Sequence, residues 1–190
     1  MIRTFIAIDL DDKETKEKII SFSNRLITHQ PRMKQVESKN LHMTVKFLGD
    51  IHESTALKIY EILKEEINEE LFQGKKFQFQ LKGAGQFNRY SVIWIKLDGE
   101  IEILQKAKDK VENLLHTKLK IAKDKRTKFK PHLTIGRLRF NKVDHSNFEK
   151  FKKVINDNKD FDFGVFNISQ IKLKKSVLTP KGPIYSDLVF

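Results

Sequence analysis

Two histidines of the chain stand in the same short frame, in which a histidine is followed two positions later by a threonine. The first frame begins at His42 in NLHMTVKFLG and the second at His132 in PHLTIGRLR. Side chains two apart on a β-strand point to the same side, and apolar residues alternate with them here. Each frame therefore predicts a strand that buries one face and presents an imidazole with a hydroxyl, that of Thr44 or Thr134, on the other.

Two imidazoles that face each other can perform general acid–base catalysis. Since the unperturbed pKa is about 6.5, one ring can accept a proton at a pH at which the other donates one. The threonine hydroxyls can donate hydrogen bonds to phosphoryl oxygens. A 2′,3′-cyclic phosphate suits such a site, because its strained ring opens by in-line attack of water, which needs a base, while the leaving oxygen needs an acid. This reaction requires no metal and no other cofactor.

Strict alternation makes further predictions about the first strand. Lys46 lies two positions after Thr44, so we expect it on the same face, either binding substrate or simply solvated. The opposite, buried face is expected to hold Leu41, Met43, Val45 and Phe47.

Helices alternate with strands along the rest of the chain. Apolar periodicity predicts helices over residues 13–26, 54–67, 101–115 and 146–155. Runs of β-branched and aromatic residues predict strands over 2–8, 77–83, 91–97, 167–178 and 183–190, and the short connections favour antiparallel pairing. We expect an α+β fold with two similar halves of antiparallel sheet, helices packed outside, and the two frames facing each other.

Composition restricts the class of protein. The 190 residues carry 37 basic and 25 acidic side chains, a formal charge of +12. Such a balance favours a polyanionic partner such as nucleic acid, although a generally lysine-rich composition produces the same number. The chain has no cysteine, which excludes disulfides, thiolate zinc sites and a cysteine nucleophile. No stretch approaches the roughly 18 apolar residues of a membrane helix, so we expect a cytoplasmic protein.

Taken together, these motifs resemble those of the 2H phosphoesterases, and among them the RNA 2′,3′-cyclic phosphodiesterases, also called 2′-5′ RNA ligases. The resemblance runs along the whole chain: RTFIAI is similar to the family's first strand, LHMTVKFLG and FKPHLTIGRLR to its two histidine motifs, GQFNRYSVIWI to its mid-chain segment, and IKLKKSVLTPKGPIYSDLVF to its C-terminal signature. It implies one bilobed catalytic domain over residues 1–190 with a basic central cleft.

The resemblance also implies an activity and its partners. The expected reaction is hydrolysis of RNA 2′,3′-cyclic phosphate ends to 2′-phosphates, and the expected second reaction is reversible, ATP-independent 2′-5′ joining of such an end to a 5′-hydroxyl. The expected substrates are RNA or nucleotides with such ends, bound without a cofactor by a monomer that does not associate with membranes. His42 would be the general acid, His132 the general base, and Thr44 and Thr134 the motif threonines.

Arg137 corresponds to an arginine that the family uses near the phosphate. Strict alternation, however, puts Arg137 on the side opposite His132. It reaches the cleft as a substrate-binding residue only where the strand twists or bulges, and Gly136 offers a place for that. Lys46 is the other candidate for substrate binding.

A different class of function remains open, that of a protein that binds RNA without turnover and uses its histidines as phosphate contacts. The basic run Lys118–Lys130 precedes the second frame and suits either an RNA-facing loop or a solvated surface. Phe87, Tyr90 and Trp94 can stack a base at the cleft, although Trp94 within VIWI also suits a core. The remaining histidines, His29, His52, His116 and His145, are expected at the surface.

Overall fold

Strands and helices alternate along the part of the chain that the computed structural model describes, residues 1–126, 128–180 and 182–190. The strands are β1 Ile2–Asp9, β2 Lys34–Gln35, β3 His42–Ile51, β4 Phe77–Phe87, β5 Val92–Asp98, β6 His132–Arg137, β7 Asp162–Ile168, β8 Lys172–Thr179 and β9 Gly182–Asp187. The α-helices are α1 Lys13–His29, α2 Glu53–Glu61, α3 Ile101–Leu119 and α4 Phe148–Asp157, and a π-helical segment, Ile62–Phe72, continues α2.

Helix α1 illustrates how local sequence determines where a helix begins and which of its faces is buried. The carboxylate of Asp12 accepts a hydrogen bond from the backbone N–H of Thr15 at 2.7 Å, which satisfies one of the free donors of the first turn. Ile19, Phe22 and Leu26 then recur at helical spacing and are buried. The helix predicted from this pattern is confirmed.

All strand pairs in the sheet are antiparallel. In the described residues the strand order is β7-β4-β5-β6-β3-β1-β8-β9, with β2 paired to β6 as a branch. The two frames thus occupy the two central strands, β3 and β6. These strands meet at a single register pair, Met43 with Leu133, and three further strands lie on each side of them.

The hydrophobic core lies between one face of the sheet and the helices. Ile6 of β1, Met43 of β3 and Leu133 of β6 are fully buried there in one cluster with helical residues such as Val111 and Phe151. Burial of each such side chain contributes about 1.5–3 kcal/mol. The opposite face carries the histidines of both frames, and we call it the open face. The predicted α+β fold with helices outside an antiparallel sheet is confirmed.

Two sequence predictions about the strands were wrong. The single strand predicted over 167–178 is two strands, β7 and β8, because the chain leaves the edge of one half of the sheet and crosses to the other. The strand predicted over 77–83 was too short, because β4 continues through Gly85 to Phe87. None of the helices in the described ranges is long and apolar enough to cross a membrane.

Candidate active site

Both motif histidines are oriented by the backbone in the same way. The Nδ1 atom of His42 lies 2.6 Å from the carbonyl oxygen of Asn40, and that of His132 lies 2.7 Å from the carbonyl oxygen of Lys130. Because a carbonyl oxygen only accepts hydrogen bonds, Nδ1 must carry the proton in each ring. The Nε2 atom of each neutral imidazole therefore keeps its lone pair free to accept a proton.

The register between β3 and β6 brings the two frames together. Met43 pairs with Leu133. Continuing this antiparallel register by one residue in each direction sets His42 beside Thr134 and His132 beside Thr44. Each imidazole is thus the neighbour of the threonine from the other frame, and all four side chains project from adjacent strands of one sheet.

A β-bulge follows each frame at the same position. On β3, Thr44 and Lys46 pair with consecutive residues of β1, so Val45 has no partner. On β6, Thr134 and Gly136 pair with consecutive residues of β5, so the extra residue is the one between them. An extra residue in one strand reverses the face on which the following side chains lie.

The bulge on β3 overturns the prediction for Lys46. Its side chain points into the core side of the sheet, where it is only 2% exposed. The ammonium group donates hydrogen bonds to Glu112 at 2.7 Å, to Asp124 at 3.0 Å and to the carbonyl of Ala122 at 3.0 Å. Lys46 therefore does not share the face of Thr44, and it belongs to a buried ion cluster behind the sheet.

The bulge on β6 has the opposite consequence for Arg137. Trp94 pairs with Thr134, and Val92, two residues earlier on β5, pairs with Arg137. Because Val92 and Trp94 share a face of β5, Thr134 and Arg137 share a face of β6. The irregularity expected near Gly136 is present one residue before it. The positive charge of Arg137 acts on both motif histidines, whose pKa it lowers.

Phe47 was also misplaced by strict alternation. It was predicted to be buried, but it is 68% exposed and pairs with Phe5, whose ring lies 5.0 Å from that of His42. It therefore lies on the open face, five residues after His42, as Arg137 lies five residues after His132. The equal offset in the two frames is the sequence signal that could have placed it.

The first imidazole is surrounded by aromatic rings. Tyr185 of β9 lies edge-on to His42 at 5.2 Å and to Phe5 at 4.9 Å. Burial raises the pKa of the Tyr185 phenol, and the positive charge of Arg137 opposes this shift. Sequence reasoning did not single out Phe5 or Tyr185, because the contacts join the first and last strands of the chain.

The second imidazole has its own aromatic neighbours. Phe87 lies edge-on to His132 at 5.1 Å and packs 5.0 Å from Trp94. Gly85 makes room for this arrangement, since a Cβ atom at that position would lie 2.3 Å from the indole ring. The aromatic side chains predicted near the cleft thus include two that contact the second frame. Tyr90 instead packs against Phe148 and Phe151.

Burial lowers the pKa of both motif histidines below the ordinary value, more than their backbone hydrogen bonds raise it. Asp9 raises the pKa of His42, which Lys174 and Arg137 lower. His132 has Arg137 near it but no carboxylate that acts on it in the described part of the chain. The two rings therefore differ in their charged neighbours, since Asp9 and Lys174 act on His42 in opposite directions and neither is among the groups that shift the pKa of His132.

Asp9 itself belongs to a charged cluster at the ends of β1, β8 and β9. Its carboxylate accepts hydrogen bonds from Lys172 at 3.0 Å and from Lys174 at 2.8 Å. Both lysines also pair with Asp187. The ion pairs tie these three strands together. Because the cluster contains two carboxylates and two ammonium groups, it adds no net charge beside His42. Across the described residues, no three side chains of the metal-binding types are grouped.

Comparison with known proteins agrees with this geometry. A family profile described as the AKAP7 2′5′ RNA ligase-like domain matches residues 4–186. The chain belongs to this family. The resemblance to the 2H phosphoesterases that the two histidine frames indicated is thereby confirmed.

Relatives of the 2′-5′ RNA ligase-like family match over nearly their whole length. A protein of Methanocaldococcus jannaschii named RNA 2′,3′-cyclic phosphodiesterase is 39% identical over 189 residues, covering 97% of this chain and 96% of its own. A protein of Archaeoglobus fulgidus with the same name is 34% identical, and 98% of each chain is covered.

Solved structures of this family share the fold. A Thermus thermophilus protein superposes with a TM-score of 0.68 at 26% identity over 99% of this chain and 96% of its own. LigT of E. coli, solved in complex with 3′-AMP, superposes with a TM-score of 0.68 at 22% identity over 99% and 95% of the two chains.

Proposed function

We propose that this protein hydrolyses RNA 2′,3′-cyclic phosphate ends to 2′-phosphomonoesters by two-histidine acid–base catalysis. The observation that carries the proposal is the pair of imidazoles on adjacent strands, each held through Nδ1 by a backbone carbonyl so that Nε2 is free. Two relatives that are more than 30% identical carry the name RNA 2′,3′-cyclic phosphodiesterase, which supports the same chemistry here.

The reaction needs one neutral and one protonated ring. The neutral ring accepts a proton from water at Nε2 while the water oxygen forms a bond to phosphorus. The bond from phosphorus to the 3′ oxygen breaks in line with this attack, and the protonated ring donates its Nε2 proton to that oxygen. The products are a 2′-phosphate and a free 3′-hydroxyl, and the two rings exchange their protonation states.

We assign His42 as the acid and His132 as the base. Asp9 raises the pKa of His42 and Lys174 lowers it, so this cluster does not select the acid, and we base the assignment on the sequence resemblance. Arg137 lowers the pKa of both rings and so does not distinguish them.

The remaining side chains of the open face would hold the substrate. Thr44 and Thr134 each lie beside the opposite histidine and can donate hydrogen bonds to the two non-bridging phosphoryl oxygens. Arg137 is a suitable partner for the negative charge of the phosphate in its transition state. Phe47 presents an exposed ring on which the terminal base can stack.

The decisive experiment uses His42→Ala and His132→Ala with an oligoribonucleotide that ends in a 2′,3′-cyclic phosphate. We expect hydrolysis to fall by about 10²–10⁴-fold in each variant, the usual contribution of a general acid or base, while RNA binding is retained. Hydrolysis at a near wild-type rate in either variant would contradict the two-histidine mechanism. Loss of activity with EDTA and recovery with a metal ion would contradict the metal-free proposal.

The same site can also join RNA ends, a reaction whose reverse is cleavage of the 2′-5′ bond. An RNA 5′-hydroxyl would replace water as the nucleophile, and the same two rings would move the same protons. No nucleotide-binding G-x-x-x-x-G-K-[ST] motif occurs in the sequence, so we expect any joining to be independent of ATP. Incubation of the 2′-5′ linked product with the enzyme, followed by analysis of the ends, measures the position of this equilibrium.

We further infer that the protein acts as a monomer in the cytoplasm and forms one domain. Both histidines come from one chain, so the site needs no second copy. The buried residues of both halves join a single cluster, which supports one folding unit, and the cysteine-free sequence suits a reducing compartment. Light scattering of the purified chain tests the monomer, and a site completed only in a dimer would contradict it.

A further inference from the structure

The segment between α3 and β6, residues 120–130, is the most basic stretch of the chain, and we call it the basic loop. Its cationic residues are Lys120, Lys123, Lys125, Arg126, Lys128 and Lys130. Its one acid is Asp124. The part of the loop that the structure describes omits residue 127.

The acid of the basic loop anchors it to the ion cluster behind the sheet. The Asp124 carboxylate accepts hydrogen bonds from Lys46 at 3.0 Å and from Lys108. Although burial opposes it, these bonds lower the pKa of Asp124 below its ordinary value. The backbone N–H of Asp124 also donates to Glu112 at 3.2 Å. The middle of the loop is therefore fixed to the strand that carries the first histidine frame.

The end of the basic loop is fixed to the second histidine. The carbonyl of Lys130 accepts the Nδ1 proton of His132 at 2.7 Å. The backbone N–H of Phe129 donates to Gln105 at 2.8 Å, and the Phe129 ring packs against the core. Lys128 and Lys130, on either side of Phe129, are exposed. The loop is thus anchored behind the sheet at Asp124 and reaches the candidate site at its end, where the Lys130 carbonyl holds His132.

The outward cations of this loop are not neutralised by the protein. Within the described ranges, Lys125, Arg126, Lys128 and Lys130 are exposed and form no ion pair with an acidic side chain. Elsewhere on the surface, exposed lysines commonly pair with an acid on their own helix, such as Lys153 with Asp157 at 2.8 Å. Asp124, the one acid of the loop, is already paired with Lys46 and Lys108 behind the sheet.

The loop cations also lie within a limited distance of the second histidine. An extended chain rises at most about 3.6 Å per residue. The Cα atom of Lys128 is therefore within about 14 Å of that of His132, and the Cα atom of Lys125 within about 25 Å. These distances match the first few nucleotides that precede a reacting 3′ end.

We propose that the basic loop is the docking surface for the RNA strand that leads to the cyclic phosphate. This inference rests on the proposed function and adds to it, because it makes an oligoribonucleotide a better substrate than a cyclic mononucleotide. The contacts are ion pairs between loop cations and backbone phosphates, so they do not depend on sequence. The bond between the Lys130 carbonyl and His132 keeps the end of this loop beside the site before RNA arrives.

The test replaces three exposed cations together, Lys125→Gln, Arg126→Gln and Lys128→Gln. We expect KM for an oligoribonucleotide with a cyclic phosphate end to rise between about tenfold and a hundredfold at about 0.1 M salt, since each lost contact with a single strand changes the salt slope by about 0.7. The salt slope of oligonucleotide binding should fall by about 2. Hydrolysis of a 2′,3′-cyclic mononucleotide should stay within twofold of wild type.

A matched control removes three lysines from the outer helix α4 and the turn after it, Lys150→Gln, Lys153→Gln and Lys159→Gln, all exposed. This control changes the net charge by the same amount as the loop variant. Any difference between the two variants therefore reflects local contacts and not the total charge of the protein. The control should leave KM for the oligonucleotide near the wild-type value. Equal effects of the two triple variants, or no effect of the loop variant, would overturn the proposal.

A binding measurement keeps this test independent of catalysis. An oligoribonucleotide that already ends in a 2′-phosphate is titrated with each variant, and its fluorescence anisotropy gives Kd. Weaker binding by the loop variant alone supports the docking surface even if the wild-type protein hydrolyses neither substrate, an outcome that would refute the proposed function. Unchanged Kd and salt slope in the loop variant refute the docking surface even if hydrolysis is observed.

Discussion

Replacement of Lys46 by methionine tests the reversal of strand faces by the first bulge. The ammonium of Lys46 is 2% exposed and lies 2.7 Å from Glu112 and 3.0 Å from Asp124. Breaking a buried pair costs about 3–5 kcal/mol. Because Lys108 still pairs with both carboxylates, we expect the lower end, about 3 kcal/mol. For a chain of this length each kcal/mol shifts Tm by about 2–4 °C, so Tm should fall by about 6–12 °C.

The matched control is Lys18→Met on α1. Lys18 also lies 2.7 Å from its partner, Glu14, but the two side chains are 43% and 77% exposed. A surface pair of this kind is screened by solvent and contributes little, so this variant should lose little stability. Urea unfolding of both variants, followed by circular dichroism, measures the difference in free energy of unfolding.

The kinetics of Lys46→Met distinguish a buried lysine from one that binds phosphate. With the Lys46 ammonium behind the sheet, KM of Lys46→Met for a cyclic phosphate should change little at temperatures at which the variant is folded. A lysine that binds phosphate loses a charged hydrogen bond of about 1.5–3 kcal/mol when it is replaced. Stability near wild type together with a KM raised more than tenfold would place Lys46 on the open face and refute the bulge.

Three further predictions concern the imidazoles and their surroundings. Burial lowers the pKa of both His42 and His132, so the reactive form with one proton on the pair should be most abundant below about pH 6.5, and the maximum of kcat/KM should lie there. Because the pKa of each ring is lower in the folded than in the unfolded state, the rings favour folding fully above the unfolded pKa of about 6.5. This contribution to the free energy of unfolding is lost as pH falls through their pKa values in the folded protein. Histidine proton resonances followed by NMR give both pKa values directly, and values above about 6.5 would contradict the burial of the rings. Arg137→Gln should raise both of these pKa values, because the guanidinium charge lowers them, and should raise KM for a cyclic phosphate; unchanged titrations would mean that Arg137 points elsewhere. Gly85→Ala should cost about 1–3 kcal/mol by overpacking against Trp94 and should shift the emission of this single tryptophan. Restoration of stability in the double variant Gly85→Ala, Trp94→Leu would confirm the clash, whereas a stable single variant with unchanged emission would exclude it.

Several features of the fold were predictable because they depend on local pattern. The stripe of Ile19, Phe22 and Leu26 determines a helix face whatever the helix later contacts. The alternation around His42 and Thr44 likewise determines which of these residues share a face. The boundaries of β7 and β8 were not predictable, because they depend on which edge of the sheet each segment joins.

The pair of motif histidines, their threonines and the α+β class could be predicted from local sequence alone. The position of Lys46 behind the sheet, and those of Phe47 and Arg137 on the open face, could not be predicted and are known from the tertiary structure. The physical reason is that a bulge is a mismatch between two strands. A bulge forms where one strand has one more residue than its partner between two hydrogen-bonded pairs. The sequence of a single strand does not show how many residues the partner has there. One unpaired residue after each frame reverses the faces of the next side chains, on β3 as far as the second irregularity at Leu48.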